Sequence, residues 1–145
     1  MIGIRRVVAA AALAMTLGAV VGVPAASART EAAWNDDYFN VCVPDSNGCY
    51  AYTLGWISWS NRSANITGTV VNGYSSGYVT AYFEAYAGST KIDSDTRTVY
   101  SGTRDFPISL GDPDRVGGFD RTKVTVCWHG PTYKVCSEPQ NHWRD

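Results

Sequence analysis

Gly77-Tyr78-Val79-Thr80-Ala81-Tyr82-Phe83-Glu84-Ala85-Tyr86-Ala87 is the stretch that decides the fold. Val79, Ala81, Phe83 and Ala85 fall on one side of a period-two pattern, and Tyr78, Thr80, Tyr82, Glu84 and Tyr86 fall on the other. A helix would repeat its apolar positions every three or four residues; alternation at every second residue is the mark of a half-buried strand. The small and apolar set therefore faces a core. The tyrosine set faces outward.

Working outward from it, the chain keeps reading as strands separated by turns. Upstream, Ile66 to Val71 ends at the turn pair Asn72-Gly73. Before that, Cys49 to Trp59 is rich in Tyr, Trp and Ile, and Gly55 within it suggests a bulge. Downstream, Lys91 to Tyr100 alternates charged and hydroxylated residues, as a solvent-facing or edge strand does. Arg104 to Leu110 contains Pro107, which confines it to an edge or a strand end. Gly111 to Gly118 is a long loop, and Lys123 to Trp128 with Thr132 to Val135 makes a last hairpin. About seven short strands at sandwich-like spacing, without an amphipathic helix, predict an all-β chain. The expected architecture is one small disulfide-bonded β-sandwich, immunoglobulin-like, spanning residues 42–145.

The four cysteines, Cys42, Cys49, Cys127 and Cys136, point to two bridges in a small chain. Of three possible pairings, the favoured one is local. Val43-Pro44-Asp45-Ser46-Asn47-Gly48 is a turn-forming string that folds Cys42 onto Cys49. A tight turn centred on Pro131-Thr132 sets Cys127 opposite Cys136 across the last hairpin. The alternative pins the N-terminal segment to that hairpin by long-range bridges. Spacings of seven and nine residues do not supply the paired knuckles of a zinc site.

Residues 1–28 read as a secretory signal peptide. Arg5 and Arg6 precede an uncharged apolar run from Val7 to Val23, and Ala26-Ser27-Ala28 offers small residues for cleavage. Cleavage would leave about 117 residues, enough for one domain. Losing Arg5 and Arg6 leaves ten basic against thirteen acidic side chains, a net of −3. Such a chain lacks the basic surface that nucleic acid requires, and no Lys/Arg cluster marks a membrane-surface site. The expectation is a secreted, extracellular protein. The Ala-rich leader and the preference for Arg over Lys read as bacterial, which makes the acceptor-like triplets at Asn61 and Asn65 accidental.

No constellation for chemistry stands out. His129 borders the Gly130-Pro131 turn and His142 lies near the C-terminus, and neither accompanies a nucleophile or zinc signature. The acids sit mainly in turns; Glu84 alone lies mid-strand, where a neighbouring Arg is its expected partner. Asp112-x-Asp114 with Asp120, and Asp93-x-Asp95, offer oxygen ligands for calcium, but neither follows the twelve-residue loop pattern. The reading is therefore no catalytic residue, no metal and no cofactor. What remains is aromatic surplus: all 18 aromatic residues follow residue 28, more than a small core absorbs. Tyr78, Tyr82 and Tyr86 form either an ordinary outer sheet face or a platform for a sugar or a protein partner. Residues 29–41 read as an extended N-terminal arm with Trp34, Asp36, Asp37, Tyr38 and Phe39 as its partner-binding residues. The alternative is an edge strand packed on its own sandwich.

A signal peptide, an aromatic–acidic arm from Trp34 to Phe39, a small Cys42–Cys49 loop and a compact β-domain closed by the Cys127–Cys136 hairpin make up the layout. It resembles the small adaptor subunit of the umbrella-toxin particles secreted by filamentous actinobacteria. That resemblance implies a non-catalytic scaffold linking lectin subunits to the spokes of a large toxin, with the segment around Trp34 to Phe39 inserting into the lectin. Two other classes compete. A protease or glycosidase inhibitor would need a rigid loop, such as Gly111 to Phe119 or Cys42 to Cys49, although the Trp-Arg-Tyr triplet of bacterial α-amylase inhibitors is absent. A free carbohydrate-binding module would use the Tyr78–Tyr82–Tyr86 stripe.

Overall fold

Val79, Ala81, Phe83 and Ala85 are all fully buried, so the alternation that predicts the central strand also predicts its faces. The structure is a computed structural model that describes residues 34–145; the expected signal peptide and residues 29–33 of the expected arm lie outside the described residues. Nine strands follow one another: β1 (Asp37–Cys42), β2 (Ala51–Trp59), β3 (Ser63–Asn72), β4 (Tyr78–Ala87), β5 (Thr90–Val99), β6 (Gly102–Gly111), β7 (Arg121–His129), β8 (Lys134–Cys136) and β9 (Gln140–Trp143). There is no helix among the described residues.

The strands form two antiparallel sheets. One has the order β1-β2-β3-β6, and the other has the order β5-β4-β7-β8 with β9 also paired to β7. The chain is thus the disulfide-bonded β-sandwich that the sequence predicts. Its strand order is its own: β1, β2 and β3 meander through one sheet, whereas an immunoglobulin domain places its second and third strands in opposite sheets. Pro107 lies on β6, an edge strand, and the polar alternation of 91–100 lies on β5, the edge of the other sheet. Both positions follow from the chemistry, since proline cannot donate to a ladder and a charged strand resists further pairing.

Inward side chains of both sheets meet in one core. Phe39 of β1 touches Phe83 of β4 edge-on with ring centroids 5.9 Å apart, and Phe83 touches Phe106 of β6 at 5.1 Å. Near one end, Trp59 packs on Phe119 at 5.6 Å. Both disulfides are local. Cys42 and Cys49 have Cα atoms 5.8 Å apart, and Cys127 and Cys136 are 4.0 Å apart as a registered cross-strand pair. The second hairpin turns at Pro131-Thr132, closed by the Gly130 N–H donating to the Tyr133 carbonyl at 2.9 Å.

Gly55 is not a bulge. β2 keeps unbroken register through it, with Phe39 on one side and Gly68 on the other. The missing side chains let the β2 and β3 backbones approach closely, and the Phe39 ring occupies the room beneath.

Candidate functional site

β1 carries three of the five residues read as partner-binding, Asp37, Tyr38 and Phe39, and the fold separates them. From Asp37 onward the segment is an edge strand of the first sheet, so the free-arm reading of 29–41 is corrected to residues ahead of Asp37. Phe39 is fully buried between the sheets and is unavailable to a partner. Alternation explains it: Phe39 and Val41 point inward, and Tyr38 and Asn40 point out. Asp37 accepts the Trp59 indole N–H at 2.8 Å, which gives its carboxylate a structural task. Trp34 packs against the core margin beneath the guanidinium of Arg144, 4.8 Å from the ring centroid. The same guanidinium donates to the carbonyls of Asn61 at 2.8 Å and Gly117 at 3.1 Å, tying Trp34 and the segment after β9 to neighbouring loops. Asp36 and Tyr38 are the two of the five that remain open.

Tyr38 is 47 % exposed and stands beside Trp56 of β2, 52 % exposed, at a ring separation of 5.2 Å. The register Tyr38–Trp56–Thr67–Pro107 runs straight across all four strands of this sheet's outer face. An open trough of about 540 Å³ lies alongside, with Leu54, Thr69 and Asp105 among its walls. Trp56 escaped the sequence reading. Its signal was the outward alternation of Tyr52, Leu54 and Trp56 in β2, which a strand containing a bulge at Gly55 would have scrambled.

The Tyr78–Tyr82–Tyr86 stripe does share one outer face, and its rings are already engaged. Tyr78 stacks on His129 at 4.4 Å with an interplanar angle of 8°. Lys134 lies over Tyr82 at 5.4 Å, and Arg121 lies over Tyr86 at 4.3 Å and over Trp143 at 5.2 Å. Glu84 sits among them, paired with Lys91 at 3.0 Å and with Lys123; lysines, not the expected arginine, neutralise it. Burial pushes the Glu84 pKa up, but hydrogen bonds from the two lysines outweigh it and hold the carboxyl below its ordinary value.

Among the described residues, no group of three or more His, Cys, Asp or Glu is placed to share an ion. Asp112 caps its own turn by accepting the Asp114 N–H at 3.0 Å, and Asp93 on β5 accepts the Gly111 N–H at the end of β6 at 2.9 Å. Also among the described residues, no helix is long and apolar enough to cross a membrane.

The two histidines set an acid limit to stability. Burial holds the His142 pKa below 6.5, only partly offset by the Asp37 carboxylate, and its buried Nε2 has no hydrogen-bond partner. His129 is also depressed, by burial and then by Lys134. Below pH 6.5 the unfolded chain takes up protons that the folded chain refuses, so stability is full above that pH and falls as pH drops toward the depressed values. The carboxylates Glu84 and Asp45 act only further down, below 4.5 and 3.8. A lower urea midpoint at about pH 5.5 than at about pH 7.5 is expected for the wild type, with a smaller drop for His142→Phe. An identical drop in both would show that His142 is not a source.

No protein-family model, curated protein or solved structure matches this chain.

Proposed function

We propose that this chain is a non-catalytic adaptor of a secreted, toxin-type complex, as the resemblance of its layout implies. It engages a partner through the side of the first sheet where Tyr38 and Trp56 stand open and where residues 34–36 lead into β1. The Tyr38–Trp56 pair is the observation that carries this reading: two large rings 5.2 Å apart, each about half exposed, beside an open trough on the outer face of the first sheet. Tyr and Trp are the side chains most often found to dominate protein interfaces.

Two disulfides support an oxidising compartment. The Tyr78–Tyr82–Tyr86 face is a poorer candidate because lysine and arginine side chains already occupy its rings.

The test is recovery of partners from culture supernatant of the native host. Trp56→Ala and Tyr38→Ala should each weaken partner binding, with about 2 kcal/mol or roughly 30-fold expected for the stronger hot spot. Deletion of residues 29–33 should weaken it further, with the urea midpoint of the deleted form measured alongside. The deletion must stop short of Asp37, since removing β1 would empty the core. Equal recovery of the same partners by wild type and by the Tyr38/Trp56 double variant would overturn the proposal.

A further inference from the structure

Four connections converge at the disulfide-bearing end of the sandwich: the 43–50 loop, the 73–77 loop, the turn at 100–101 and the turn at 130–133. Hydrogen bonds fasten them together. The Gly73 N–H donates to the Tyr50 carbonyl at 2.7 Å, and Asn72 donates through its side-chain amide to the Tyr100 carbonyl at 2.8 Å. The Trp128 indole N–H donates to the Ser76 carbonyl at 3.1 Å. Across this end runs a ladder of rings, Tyr50–Tyr74–Trp128–Tyr133, with successive centroids 5.7, 4.9 and 5.2 Å apart. Its outer members are open, Tyr50 at 44 % and Tyr133 at 61 %.

Beside Tyr50 and Tyr74 lies a groove of about 590 Å³ whose remaining walls are Asp45, Asn47, Gly73 and Ser75. Its charge is one-sided. The lining has no Lys or Arg. Among the described residues the acids in ion pairs are Glu84 and Asp95, and Asp45 is in none. The Asp45 carboxylate is instead held in place by the Tyr74 hydroxyl and by the Asn47 N–H at 2.9 Å. Both donors favour the ionised form, the hydroxyl most, and keep the carboxyl below its ordinary range. For Tyr74, burial and then the Asp45 bond push the phenol up to about 12. The groove therefore presents a fixed negative charge next to aromatic walls at neutral pH.

Aromatic faces and a carboxylate attract the same kind of guest. The ring quadrupole and the full negative charge both favour a cation. An anion is repelled by both, and a neutral sugar would use the rings but gain nothing from the charge. A planar guanidinium uses all of it, since it stacks on a ring face and hydrogen-bonds a carboxylate with the same group. We propose that this groove receives an arginine side chain presented by an exposed loop of a partner protein, with Tyr50 and Tyr74 as walls and Asp45 as counter-charge. The site is independent of the Tyr38–Trp56 face, because it sits where β1 ends rather than where it begins. Local bridging by Cys42–Cys49 and the fastened loops mean that little ordering is required on binding.

Nuclear magnetic resonance titration of the full mature protein tests it. The probes are N-acetyl-arginine amide, the matching citrulline compound as its uncharged isostere, and a neutral chito-oligosaccharide. The arginine probe should produce saturable shifts confined to residues 43–50 and 73–76. Asp45→Asn and Tyr50→Ala should each weaken it by about tenfold, as should molar salt. An undisturbed Trp128 indole resonance in each variant shows that the loop end is still folded. Equal binding of the citrulline compound would overturn the proposal by removing the charge from it. Binding of the oligosaccharide in place of the arginine probe would make the groove a sugar site. Absence of shifts with all three at millimolar concentration would also overturn it. Because no natural partner enters this experiment, its result is separate from the fate of the adaptor reading.

Discussion

Phe39→Ala is expected to destabilise the protein by about 3–5 kcal/mol, the usual cost of emptying a fully buried aromatic site. Phe39 has no exposed surface, and its ring bridges the sheets through Phe83, which in turn meets Phe106. Its loss would open a cavity at the middle of a small core whose whole stability is about 5–15 kcal/mol. Urea unfolding followed by tryptophan fluorescence measures the effect as a fall in midpoint at constant slope. Tyr38→Ala, one residue earlier and facing outward, should move the midpoint little, since surface changes usually stay within about 0.5 kcal/mol. Phe83→Ala should cost about as much as Phe39→Ala, and the double variant should show coupling of roughly 0.5–1.5 kcal/mol from their edge-to-face contact. Unchanged midpoints for Phe39→Ala would restore the reading of Phe39 as a free anchor on a mobile arm.

That one residue shows where the sequence is readable and where it is not. β4 declares itself because nine consecutive residues alternate; its inward set is buried as the pattern predicts, while Thr80 of the outward set is buried as well, paired with the Thr98 hydroxyl at 2.9 Å. The last hairpin is legible because its turn residues and its cysteines agree on one register. β1 is harder. Its alternation covers only Phe39 and Val41, and Asp37 masks it by placing a carboxylate on a partly buried position. That position is tolerable only because the Trp59 indole, 22 residues away, donates to it. β9 has no apolar pattern at all: Gln140-Asn141-His142-Trp143 is a strand because β7 offers it a ladder. The tyrosine stripe was visible as a stripe, but the cations that occupy it arrive from Arg121, Lys123 and Lys134, on strands formed much later in the chain. The loop-end groove was least visible. Tyr50 follows the Cys42–Cys49 loop and Tyr74 follows Asn72-Gly73, and only the topology brings the two rings together beside Asp45.

Gly55→Ala is expected to cost about 3 kcal/mol or more, at or beyond the upper end of ordinary overpacking. Backbone conformation is not the reason. Gly55 is not among the glycines with positive φ, so on conformational grounds alanine should stabilise by about 0.4–1 kcal/mol through the unfolded chain. Space decides the sign instead. A methyl group there would lie 2.1 Å from the Thr67 carbonyl oxygen, 2.7 Å from the Gly68 Cα and 2.8 Å from Phe39 Cζ. Two of these neighbours are backbone of β3, a strand paired on both sides, so relief requires prising the β2–β3 ladder apart. Trimming the third neighbour should not rescue the variant: Gly55→Ala with Phe39→Leu is expected to remain well below Phe39→Leu alone. Urea midpoints give the cost, and loss of amide protection at Thr67 to Thr69 would locate it in the ladder. A Gly55→Ala protein as stable as the wild type, with those amides still protected, would mean that the strands stand further apart here. Gly55 would then be the bulge that its sequence context suggests, since a ladder opened by a bulge has room for a methyl group.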